Sequence, residues 1–164
     1  MYNNVFILFV SALIPMALGF IYYHPNVLGR HLMNLNGQEA GFLQGRNKIV
    51  MVLIIYILSL VLSSFLANIT IHQTAFVSLL GPESLQEGHA VQTEYKELMN
   101  NYGDRFRTFG HGAVHGIFYA LFFVLPLLGG MTYLERRGWK YLLIHLGFWT
   151  ASLVLMSGVL CQWL

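Results

Sequence analysis

The run from Ile49 to Ile71, IVMVLIIYILSLVLSSFLANITI, holds 23 residues without a single Asp, Glu, Lys or Arg. A bilayer hydrocarbon core of about 30 Å needs roughly 20 apolar residues at 1.5 Å rise each, so this segment is long enough to cross. Three more stretches repeat the pattern: Val5 to Tyr23, Gly110 to Leu134 and Leu142 to Leu164. A soluble chain of 164 residues has no surface on which to hide four such runs. The expected fold is therefore an all-α integral membrane protein, a bundle of four transmembrane helices spanning about 5–23, 49–71, 110–134 and 142–164. The chain is expected to form one membrane domain over 1–164.

The composition agrees, with 56% hydrophobic and 10% charged residues and a mean hydropathy of +0.59. A net charge of +2 is too small and too scattered for a nucleic-acid partner, leaving lipid as the expected surrounding. Cys161 is the only cysteine, which excludes an intrachain disulfide and any CxxC redox or zinc motif. Met1-Tyr2-Asn3-Asn4 lacks the positive start of a signal peptide and the first apolar run continues through Tyr23, so that segment is read as a retained span.

Basic residues set the expected sidedness. Arg30, Arg46, Lys48, Arg136, Arg137 and Lys140 fall in the first and third connections, whereas Lys96, Arg105 and Arg107 lie in the long middle one among Glu83, Glu87, Glu94, Glu97 and Asp104. Short loops rich in Lys and Arg stay in the cytoplasm, so both termini and the loop 72–109 are expected outside. Tyr22, Tyr23, Tyr133, Trp139 and Tyr141 would mark the inner interface, and Tyr2, Phe109 and Trp163 the outer.

Within the spans, Gly112, Gly116 and Ala120 recur every four residues, as do Ser59, Ser63 and Ala67. Small residues at that spacing form flat faces on which helices approach closely, within one bundle or between copies. Pro15 and Pro126 free the carbonyls of Ser11 and Phe122 and are expected to bend their helices. In the middle loop, Val91, Tyr95, Leu98, Met99 and Tyr102 follow a helical period with Gly103 placed to end it, which predicts a short amphipathic helix between spans two and three.

Seven histidines accompany spans devoid of carboxylates. His111 and His115 share a helix face at i, i+4, a spacing suited to a metal ion or a haem ligand, and the topology brings His72 to the same end. His145 belongs near the opposite end with His24, on the order of 15 to 20 Å away in depth at 1.5 Å per residue. The favoured reading is the ordinary one, that these imidazoles hydrogen-bond at helix ends, worth about 0.6 kcal/mol each, with a metal or haem site and a proton relay as the alternatives. Nothing resembles HExxH, a Ser-His-Asp set or a Gly-rich phosphate loop, so no residue is nominated as catalytic.

The stretch Gly19-Phe20-Ile21-Tyr22-Tyr23-His24-Pro25-Asn26-Val27-Leu28-Gly29-Arg30 resembles the signature of a bacterial membrane family, domain of unknown function 1761. Phe109 to Gly116, Leu134-Glu135-Arg136-Arg137 and Met156 to Leu160 resemble its later landmarks, while Tyr22 and Leu32 stand where that family tends to have tryptophan. The resemblance implies a four-helix protein of the bacterial inner membrane without an assigned substrate. Physically, Tyr22, Tyr23, His24, Pro25, Gly29 and Arg30 read as an interface turn: tyrosines anchor, Pro25 ends the helix, Gly29 permits a tight reversal and Arg30 meets lipid phosphates.

The resulting expectation is a small structural or accessory subunit, without cofactor or catalysis, in contact with lipid and open to a second copy or a membrane-complex partner. Two alternatives stand beside it. One is a metal- or haem-binding membrane protein built on His72, His111 and His115; the other is an oligomeric transporter or channel, disfavoured by the lack of buried Asp, Glu, Lys or Arg.

Overall fold

The computed structural model describes residues 4–36 and 47–164; Tyr2 and Arg46, invoked above for interface and sidedness, lie outside them. Every regular element among the described residues is helical.

The N-terminal helix is broken where proline dictates. α1 (Phe6–Ser11) and α2 (Ile14–Tyr22) flank a two-residue turn, with Pro15 in the first turn of α2, where a missing N–H costs nothing. The expected reversal at Gly29 does not occur. Pro25–Gly29 instead forms one π-helical turn, capped by His24 Nδ1 accepting from Asn26 N at 3.2 Å, and the chain runs on into α3 (Arg30–Asn36), 52° off the axis of the preceding helix. Gly29 is needed for closeness: a Cβ there would overlap the Tyr23 carbonyl.

α4 (Lys48–Thr70) starts at Asn47, whose Oδ1 accepts from Ile49 N at 3.0 Å and Val50 N at 3.3 Å. It leaves Ile49, Leu53, Ile57, Leu58, Val61 and Phe65 exposed and turns Ser59, Ser63 and Ala67 inward. Ser11 and Ser63 bond each other, and both hydroxyls lie on the Leu8 carbonyl, at 3.1 and 3.0 Å. One hydroxyl donates to that carbonyl and the other to its neighbour, which closes the polar gap between α1 and α4.

Two helices occupy the middle connection where the sequence foresaw one. α5 (Thr74–Leu80) and a 3-10 turn (Pro82–Leu85) precede α6 (Ala90–Tyr102), the amphipathic segment, after which the Gly103 N–H bonds the Met99 carbonyl at 2.8 Å. α6 packs on α5 and the 3-10 turn. α7 (Phe109–Tyr119), a π-helical turn (Ala120–Val124) and α8 (Leu125–Leu134) run as one apolar helix, in which the turn just ahead of Pro126 accommodates its missing donor. α9 (Trp139–Trp163) completes the fold.

Three helices, Lys48–Thr70, Phe109–Leu134 and Trp139–Trp163, are long and apolar enough to cross a membrane, and the bent pair Phe6–Tyr22 with Pro25–Leu35 makes a fourth if counted as one span. The buried cluster of Leu66, Ala67, Ile71, Ala120, Leu153, Met156, Leu160 and Leu164 joins α4 and the π turn to α9. The seam between α7 and α9 is closest. A Cβ on Gly116 would fall 2.6 Å from Leu153 O and from Val154 N and Cα, and one on Gly112 would overlap the Ser157 carbonyl. The small-residue face of α7 is thus occupied by α9 of the same chain.

Candidate metal centre

His72 sits in the turn that ends α4. Beside it the Thr74 hydroxyl lies 2.7 Å from both the Asn68 and Ile71 carbonyls at this helix terminus. His111 and His115 lie one turn apart in α7, whose first turn is capped by Thr108 Oγ1 accepting from His111 N at 3.2 Å. Glycines 112 and 116 each follow one of these histidines, so close packing of the glycine stripe on α9 directs the imidazole stripe toward the end of α4.

The three Nε2 atoms converge. They stand 2.9 Å apart for His72 and His111, 3.1 Å for His111 and His115, and 3.3 Å for His72 and His115. Hydrogen bonding alone cannot satisfy such a triangle. Each neutral Nε2 is either donor or acceptor, and around a ring of three these roles cannot alternate, so at least one pair opposes like to like.

A cation bound there would resolve the conflict by accepting all three lone pairs. Tetrahedral zinc with Zn–N of about 2.0–2.1 Å implies N···N separations of about 3.3 Å. The separations found here, 2.9, 3.1 and 3.3 Å, are close to that value, so the three imidazoles fit such an ion. Among the described residues no Asp, Glu or Cys joins this group, and His72 is its exposed member.

Aromatic rings hold the imidazoles. Phe106 stacks on His111 with centroids 5.0 Å apart and meets His72 edge-on at 5.9 Å, while Tyr119 stacks on His115 at 6.1 Å and donates its hydroxyl to the Ile69 carbonyl. Phe106 adopts φ of 64°, a costly left-handed conformation for a bulky residue. Its segment is held from two sides: Gln73 Nε2 donates to the carbonyls of Tyr102 at 2.8 Å and Arg105 at 2.9 Å, and Cys161 Sγ donates to that of Phe106 at 3.3 Å. Sequence reasoning missed Phe106 and Gln73. A residue whose role is to place a loop leaves no periodic mark, although Gln73 beside His72 was a polar residue at the end of a span.

The other sequence-selected residues lie elsewhere. Gly112, Gly116 and Ala120 face the core, as do Ser59, Ser63 and Ala67 on α4. Of the interface turn, Tyr22, Pro25 and Arg30 stay partly or fully exposed, His24 caps the π turn, and Gly29 is buried in it. Tyr23 turns inward: its hydroxyl bonds His145 Nδ1 at 2.9 Å and its ring packs 5.0 Å from Phe148. That pair, with Tyr141 set edge-on to His145 at 4.4 Å, belongs to α2 and the N-terminal part of α9 and takes no part in the three-imidazole cluster.

These features define a small helical protein with several helices apolar enough to span a membrane and three imidazoles gathered at one end of them. The family model "Protein of unknown function (DUF1761)" matches residues 6–161, and the chain belongs to that family. No curated protein and no solved structure is significantly similar to it.

Proposed function

We propose that this chain is a four-span integral membrane protein of the bacterial inner membrane that binds one divalent transition-metal ion on His72, His111 and His115. The observation that carries the reading is the triangle of Nε2 atoms at 2.9, 3.1 and 3.3 Å. Imidazole nitrogen suits zinc, copper, nickel and iron, and three such ligands with an open position match zinc sites that retain water. Haem fits less well. Two axial imidazoles on opposite sides of one iron stand about 4 Å apart at ordinary metal–nitrogen distances, with the macrocycle between them. The ion would join the end of α4 to the start of α7, which are already linked by the Tyr119 hydroxyl on the Ile69 carbonyl, so an accessory role and metal binding are compatible.

The membrane part rests on the exposed apolar face of α4, where Ile49, Leu58 and Val61 are 72, 63 and 64% exposed, a surface suited to lipid. The excess of Lys and Arg in the first and third connections supports an orientation with the termini and the metal centre on the outer side. A channel formed through the α7 small-residue face is disfavoured because α9 fills that face.

Metal analysis of detergent-purified protein tests the reading. Wild type is expected to hold about one ion per chain, and the double variant His111→Ala, His115→Ala none, since a single imidazole would remain. Equal metal content in the two proteins would overturn the centre.

A further inference from the structure

We infer that the open position of this centre takes an oxyanion of the phosphate class, held jointly by the ion and by Arg105. The inference rests on the metal-binding reading above. Three neutral imidazoles leave a divalent ion its whole charge, and no carboxylate belongs to the ligand cluster among the described residues. Beside His72 opens a depression of about 270 Å³ lined by His72, Gln73, Phe76, Tyr102, Arg105 and Phe106. That is smaller than the roughly 300–1,000 Å³ of sites for drug-sized molecules, so its occupant is a small group.

Arg105 is the only cation in this lining. Its guanidinium lies over the Tyr102 ring, 5.1 Å from the centroid, and its own carbonyl is tied down by Gln73, a residue only 4% exposed. The Gln73 amide has one orientation available, because both partners of its nitrogen are carbonyls and accept only. The loop backbone is therefore fixed, and Arg105 lines the same depression as His72.

The number of oxygens selects the class. A guanidinium fork engages two oxygens in parallel, and coordination to the ion uses a third. A phosphate group offers all three, whereas a carboxylate offers two. The same chemistry is available from free phosphate and from a phosphomonoester lipid headgroup such as that of phosphatidic acid, which would reach this end of the spans from within the bilayer surface.

Cobalt(II) loaded in place of the native ion gives a visible spectrum that changes when a ligand enters its coordination sphere. Inorganic phosphate titrated into the cobalt protein in neutral detergent tests the free source; nanodiscs of phosphatidylcholine with and without phosphatidic acid test the lipid source. A spectral change in either arm, at least tenfold weaker in affinity for Arg105→Gln and little altered for Arg107→Gln, is the expected result. Arg105 is exposed and its anchoring bond uses the backbone, so Arg105→Gln leaves the fold intact. Cobalt bound but a spectrum unmoved in both arms, or moved equally in Arg105→Gln, overturns the anion site and leaves the metal centre standing. Failure of wild type to bind cobalt overturns both.

Discussion

Replacing Gly116 by alanine adds one methyl group where α7 and α9 meet. The new Cβ would lie 2.6 Å from Leu153 O, Val154 N and Val154 Cα, against an ordinary carbon contact of about 3.5–4.0 Å. All three obstructing atoms are backbone, so no side chain can swing aside and the helices must part by about 1 Å. Overpacking of this kind costs about 1–3 kcal/mol, from which the better helix propensity of alanine returns about 0.8–1 kcal/mol. The expected net effect is a loss of up to about 2 kcal/mol. Gly129→Ala supplies the control, because a Cβ there meets nothing within 4 Å and the substitution should be neutral or stabilising by up to about 1 kcal/mol. Thermal unfolding of both variants and wild type in one detergent reads the difference, with midpoints expected to move in opposite directions or only for Gly116→Ala. A Gly116→Ala midpoint at or above wild type would refute the close approach of α9.

Tyr23→Phe removes the hydroxyl on His145 Nδ1 and should lower stability by about 0.6 kcal/mol, at most about 1.7, in the same unfolding assay; an unchanged midpoint would mean the two side chains do not bond. A reporter fused after Leu164 should be active outside the cytoplasm and one inserted between Arg136 and Lys140 inside it, and the opposite pattern would reverse the proposed orientation and move the metal centre to the cytoplasmic face.

How much was legible depended on whether a feature is written along the chain or across it. The apolar runs and the period of Val91, Tyr95, Leu98, Met99 and Tyr102 are local, and the helices α4, α9 and α6 lie where those patterns put them. Turn geometry was harder. Pro25 and Gly29 read as a stop and a reversal, yet Gly29 packs under the Tyr23 carbonyl in a π turn that carries the chain onward, since proline at the start of a helical turn breaks nothing behind it. At Pro126 the missing donor is taken up by the π-helical turn just ahead of it, a local change of hydrogen bonding that the proline alone did not specify. At the candidate centre, His111 and His115 were visible as a helical pair and His72 through topology. Phe106 and Gln73 were not, because their partners lie tens of residues away and neither residue type announces such a role.

The register of α7 explains why the three imidazoles meet. Successive residues on an α-helix are rotated by about 100°, so the stripe His111, His115 and the stripe Gly112, Gly116 run side by side along α7. Glycine lets α9 approach until backbone meets backbone, and a contact that close tolerates little rotation of α7 about its own axis. The adjacent stripe is thereby aimed at the end of α4, where Leu66, Ala67 and Ile71 are buried in the cluster shared with α9. Both sides of the centre are consequently referenced to one helix: α9 fixes the orientation of His111 and His115 through the glycines and the position of His72 through the core. Phe109 N bonding Gln162 Oε1 at 3.0 Å, and Cys161 Sγ bonding the Phe106 carbonyl, extend the same reference to the loop that carries the stacking ring. A substitution that moves α9 should therefore disturb the imidazoles without touching them. Gly116→Ala, if it parts the helices as calculated, should weaken metal binding as well as stability, whereas Gly129→Ala should change neither for the worse.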